Sequence, residues 1–78
     1  MITEQDLVKL GYNRPNKLLN GSTDYRHSES DERPYKINLN KGVIQVIYPM
    51  NDKSKRTIFY TIDEFTDWHL NYTHQGKL

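Results

Sequence analysis

The sequence predicts a small two-layer α+β domain. Its sheet is an antiparallel meander of three strands, or four with an added edge, with a short N-terminal helix and a C-terminal amphipathic helix packed on it. Three observations carry that prediction. YKINLNKGVIQVIY (35–48) alternates apolar and polar residues on either side of turn chemistry. RTIFYTI (56–62) adds a third β-rich run. Thr61 and Glu64 fit a T-x-x-E capping box that opens a stretch with apolar residues at helical spacing.

At the start, Thr3 is a good N-cap, Asp6 falls in the first turn and Gly11 is a stop signal, which predicts a helix over about 3–10. Ile2 and Leu7 sit at the positions of a hydrophobic staple, and Leu7 and Leu10 supply the buried edge. Residues 12–21 allow two readings. Pro15 opens a single helical turn carrying Leu18 and Leu19, or an extended segment turns at Asn20-Gly21. The stretch STDYRHSESDERP (22–34) crowds Asp24, Arg26, His27, Glu29, Asp31, Glu32 and Arg33 around one aromatic residue, Tyr25. It has too few apolar side chains for a central strand. It reads equally as a polar edge strand against YKINL or as a loop.

Tyr35, Ile37 and Leu39 point one way, Lys36 and Asn38 the other, and NKG (40–42) turns the chain. Residues 43–48 are apolar on both faces, as in a central strand. Pro49 ends the pairing, and MNDKSK (50–55) is a polar loop. In the last helix Ile62, Phe65, Trp68 or His69, and Tyr72 share a face, with Gly76 and Lys77 beyond its end.

Register decides what the second face of the sheet carries. Aligning Tyr35, Ile37 and Leu39 with Tyr48, Val46 and Ile44 makes one face wholly apolar, whereas the alternative puts Gln45 in its middle. The first register leaves Val43, Ile47 and Phe59 opposite, beside Lys36, Asn38 and Gln45. Either the first helix or Leu18 and Leu19 fold over these apolar groups, or they form a contact surface.

The chain has 78 residues, enough for one domain near the lower limit for an unaided hydrophobic core. Without cysteine it has neither a disulfide framework nor a thiolate metal site, which fits a reducing compartment. A net charge of +1 is too balanced for a nucleic-acid mimic or a strongly basic DNA coat. No apolar stretch approaches the roughly 20 residues of a membrane span. MITEQDL also lacks the basic-then-apolar pattern of a signal peptide. The expectation is a soluble cytoplasmic protein with no membrane partner.

Catalytic and cofactor signatures are missing. His69 and His74 diverge by about 140° on a helix, where a chelating pair stands at i and i+4. His27 has no ligand spacing around it, so no metal and no cofactor are expected. His69 is expected at the flank of the apolar stripe with its ring half covered. Gly21-Ser22 is not part of a nucleophile elbow, and no glycine-rich phosphate cradle occurs. His27 with Asp24 or Glu29 resembles a base and its orienting carboxylate only as short polar loops do by chance. Asp63, Glu64 and Asp67 favour the dipole of the helix they begin. The sequence therefore predicts no enzyme.

Two binding classes are left. Lys53, Lys55 and Arg56, with Lys41 and Lys36 and several tyrosines, suggest a nucleic-acid surface. Yet the 40–42 turn and the 50–55 loop cap opposite ends of one strand, roughly 20 Å apart at about 3.3 Å per residue. That is about twice the screening length at physiological salt. The favoured class is a non-enzymatic protein-interaction module. In size, composition and lack of catalytic signatures the chain resembles small accessory proteins of phages and other mobile elements, including inhibitors of bacterial defence systems. The resemblance implies binding and blocking a larger host protein, as a single chain or as a homodimer. Lys36, Val43, Gln45, Ile47 and Phe59 are the expected contact residues, with Tyr25 and Arg26 on a charged rim supplied by 22–34.

Overall fold

A computed structural model describes residues 1–47 and 56–72. The elements run α1 (Glu4–Lys9), β1 (Tyr12–Lys17), β2 (Thr23–His27), β3 (Lys36–Asn40), β4 (Val43–Ile47), β5 (Arg56–Phe59) and α2 (Ile62–Asn71). The strands form one antiparallel sheet in the order β1-β2-β3-β4-β5. The α+β meander with a helix at each end is therefore the architecture, with five strands where three or four were expected. Tyr48, Pro49, the 50–55 loop, His74, Gly76 and Lys77 lie outside the described residues.

Helix α1 is held by a capping box. The Thr3 N–H donates to Asp6 Oδ2 at 2.9 Å, and the Asp6 N–H donates to Thr3 Oγ1 at 3.3 Å. That backbone hydrogen bond holds the Asp6 carboxyl below its ordinary range. Ile2 and Leu7 both reach the core, as a staple requires. Gly11 then turns the chain with φ +98 and accepts the Ser28 N–H at 2.9 Å. A Cβ at Gly11 would stand inside the His27 imidazole. Gly11→Ala combines that overlap with the left-handed penalty. It is expected to cost about 2 kcal/mol, read as a lowered urea midpoint.

The ambiguous 12–21 segment is extended. Its hairpin turns at Asn20-Gly21, where Gly21 has φ +92 and Asn20 Oδ1 accepts the Ser22 N–H at 2.9 Å. Leu19 stands fully exposed at the hairpin tip and covers nothing. With β1 outside it, β2 is an inner strand rather than the polar edge that its composition suggests.

The apolar register is the one found. Ile37 faces Val46, Leu39 faces Ile44 and Asn38 faces Gln45. Lys41 and Gly42, at φ 53 and 79, make the two-residue turn between β3 and β4. Along β1 the alternation breaks at a bulge between Tyr12 and Arg14. Tyr12 thereby joins His27 on the core face, while Arg14 joins Arg26 on the other.

One core lies between the sheet and both helices. Leu7 of α1 and Phe65 of α2 bury against Tyr12, Tyr25, Tyr35, Ile37, Ile44 and Val46. In α2 the Thr61 hydroxyl accepts the Glu64 N–H at 3.2 Å and donates to Glu64 Oε1 at 3.1 Å. Trp68 and His69 both turn inward with Phe65, and His69 is buried to 6% exposure rather than half covered. Since α1 and α2 share one side, the first helix does not fold over Val43 and Ile47.

Candidate functional site

Among the described residues, Tyr12, Tyr25, Tyr35, His27 and His69 are buried. Arg33 Nη1 donates to the Tyr35 hydroxyl at 2.9 Å; the Tyr35 and Tyr12 hydroxyls are 2.5 Å apart; Tyr12 meets His69 Nδ1 at 2.8 Å. A guanidinium only donates. The arrangement that uses every O–H therefore runs one way: Arg33 to Tyr35, Tyr35 to Tyr12, and Tyr12 to an unprotonated His69 Nδ1. Burial, reinforced by Tyr35, pushes the Tyr12 phenol far above its ordinary range. Burial also lowers His69 to about 4, with Arg33 and His27 adding to the effect. Beside it, His27 donates from Nε2 to the Leu10 carbonyl at 2.8 Å and accepts the Glu29 N–H at Nδ1 at 2.9 Å.

These polar atoms point at one another. Tyr12 is wholly buried, and no buried side-chain nitrogen or oxygen among the described residues lacks a partner. The network ties β1 and the 33–35 segment to α2. Among the described residues no group of three or more His, Cys, Asp or Glu stands close enough to hold a metal.

The opposite face of the sheet is different. Direct cross-strand pairs place Arg14, Arg26, Lys36 and Ile47 in one row, with Arg56 next to Ile47 in β5. The neighbouring row runs Asn16, Asp24, Asn38, Gln45, Ile58. Asp24, the carboxylate of these rows, is fully engaged. Its Oδ1 accepts from Asn38 Nδ2 at 2.8 Å, and its Oδ2 pairs with Lys36 Nζ at 3.4 Å. Asn38 Nδ2 also donates to Ser22 Oγ at 3.0 Å. Arg14 and Arg26 are exposed and make no ion pair among the described residues. With Asn16, Asp24, Tyr25 and Lys36 they line a shallow concavity of about 220 Å³. Like charges directly opposite on a sheet cost about 0.2–1 kcal/mol per pair, so the fold alone does not favour this row.

The expected contact residues divide between the two faces. Lys36, Val43, Gln45 and Ile47 lie on the open face, each half-buried, and Arg26 lies there too. Two placements need correction. Phe59 pairs with Ile44 and stacks at 5.5 Å on Phe65 and 5.7 Å on Trp68, so it belongs to the core. Ile58, half-exposed, takes its place outside. Tyr25 pairs with Ile37 and is 3% exposed, and burial together with the Glu4 charge raises its phenol. Of the basic set, Lys41 is exposed at the β3–β4 turn and Arg56 begins β5, while Lys53 and Lys55 lie outside the described residues.

The core also takes Tyr12, Tyr35, Trp68 and Tyr72, so none of these aromatic groups is a stacking platform on the open face. Arg14 and Asn16 were missing from the expected site. Strict alternation puts Arg14 on the same side as Tyr12, and only the bulge separates them. No family model matches the chain, and no curated protein or solved structure matches it either. No helix among the described residues is long and apolar enough to cross a membrane.

Proposed function

We propose that the chain is a non-enzymatic protein-interaction module that binds its partner through the open face of the sheet. One observation carries this reading: both helices pack on the same side. Val43, Ile47 and Ile58 therefore lie half-covered on the other face, where Ile47 stands directly across from Lys36, and Arg26 and Arg14 continue the row. A patch with an aliphatic part and a charged flank is the composition of a protein-binding surface. The internal consumption of Tyr12, Tyr35, His27 and His69 further favours binding over catalysis. Size, composition and charge balance support the finer reading, a cytoplasmic accessory protein of a phage or mobile element that blocks a larger host protein. A second copy of the chain is the competing occupant.

Ile47→Asn removes an aliphatic contact without adding charge. It is expected to cost about 1 kcal/mol, because the side chain is only half-buried. Thermal unfolding checks that figure. Crosslinked capture from the source cells should retain a specific protein with the wild type and lose it with Ile47→Asn. Equal capture by both, or an unfolded variant, overturns the reading. Light scattering across concentrations distinguishes self-pairing, and salt-dependent retention on DNA distinguishes a phosphate backbone as the ligand.

A further inference from the structure

From the open face we infer that the β1–β3 part of the sheet is a carboxylate-binding site for an acidic segment of a partner protein. The inference rests on the interaction-module reading and specifies the chemistry of the partner. Arg14, Arg26 and Lys36 stand directly opposite one another on three adjacent strands. At about 4.8 Å between strands the row is roughly 10 Å long. Asp24 is committed to Asn38 and Lys36, which leaves both guanidiniums without a carboxylate among the described residues. Repulsion along the row opposes folding, and an anion laid over the concavity relieves it. Guanidinium forks match carboxylates in bidentate geometry, and Asn16 adds an amide at the same concavity.

The row's continuation selects among anions. Beyond Lys36 the next residue is Ile47, and Ile58 lies one row over. With Arg56 closing the row in β5, the complementary surface carries acidic groups over β1–β3 and apolar groups over β4. A peptide segment with carboxylates next to aliphatic side chains has both parts. A phosphate backbone has only the first, and Tyr12, Tyr25, Tyr35, Trp68 and Tyr72, which could receive its bases, pack in or against the core.

The probes are a fluorescein-labelled peptide with a Glu-Asp-Glu run followed by Leu-Val, its Gln-Asn-Gln counterpart, and a short DNA duplex, read by fluorescence anisotropy with the full chain. The acidic peptide is expected to bind and to weaken as salt rises. Arg14→Gln with Arg26→Gln should weaken it by about tenfold, with Arg14→Lys and Arg26→Lys intermediate. Both residues are exposed, so the thermal midpoint should hold or rise in either variant. Equal binding of the amide peptide, preference for the duplex, no peptide binding, or an unaffected Gln variant each overturns the inference. Failure of the two readings is distinguishable. If the cellular partner is lost with Ile47→Asn but kept by the Arg14→Gln, Arg26→Gln variant, the module stands and its acidic chemistry falls.

Discussion

Phe65→Ala is expected to lower the thermal midpoint by about 20 °C, the largest effect of any single truncation in α2. Phe65 is fully buried, with its ring centroid 5.6 Å from Tyr12, 5.5 Å from Phe59 and 5.8 Å from Trp68. Truncating such a residue costs about 3–5 kcal/mol, part of it lost transfer energy and part the cavity left behind. A 78-residue domain has about 4–12 kcal/mol to lose. In domains of this size each kcal/mol moves the midpoint by roughly 4–8 °C. The rings around Phe65 come from β1, β5 and α2, so they have no common element that collapses into the space. Leu70→Ala on the same helix is the control: Leu70 is 70% exposed, and its loss should change stability by about 0.5 kcal/mol or less. Circular dichroism melts of the two variants check the contrast. Equal midpoints would mean that α2 does not depend on its inward face.

That inward face was legible because a helix repeats its pattern. Ile62, Phe65, Trp68, His69 and Tyr72 recur at the helical interval, and Thr61 announces the start. The 40–42 turn and the register beside it were legible for a related reason, since a slip there buries Gln45. What the sequence hid lies in β1 and β2. TDYRH has a polar residue at nearly every position, so it reads as an edge. Its inward residues Tyr25 and His27 are buried by virtue of β1, a strand that itself reads ambiguously. The signal in β1 is further disguised by the bulge, which shifts Arg14 across the sheet from Tyr12. Local pattern cannot announce an extra residue whose effect appears only on pairing.

The candidate site was legible in half for the same reason. Val43, Gln45 and Ile47 follow from alternation within β4, given the correct register. Phe59 was misplaced because β5 gives no turn signal that counts its offset from β4. In the structure Phe59 sits across from Ile44, which fixes its side. Arg14 and Arg26 are distant in the chain and meet through β1–β2 pairing. The charged stretch 22–34 is thus not one continuous loop. Its first half is an inner strand with Asp24 and Arg26 outward, and its second half delivers Arg33 to Tyr35 and, at 5.7 Å, to the Tyr72 ring.

The burial of His69 ties the fold to pH, and acid should destabilise this domain. His69 has a folded-state value of about 4 against 6.5 for the free side chain. A lowered histidine means that the unfolded chain binds more protons between those values. Stability is therefore complete above about pH 6.5, declines as pH falls through the window, and reaches its floor near pH 4. The slope is at most about 1.4 kcal/mol per pH unit, with a ceiling of about 3 kcal/mol across the window. The structural cause is burial of the imidazole, which penalises its charged form, with the Arg33 and His27 charges adding to it. A proton on Nδ1 removes the acceptor of the Tyr12 hydroxyl and places a charge near Arg33 and His27. Urea unfolding between pH 7 and 4 should show the decline in the wild type. In His69→Gln, which keeps a polar group without a titrating proton, the curve should be flatter over the same range. An unchanged slope in that variant would mean that the acid sensitivity does not come from His69.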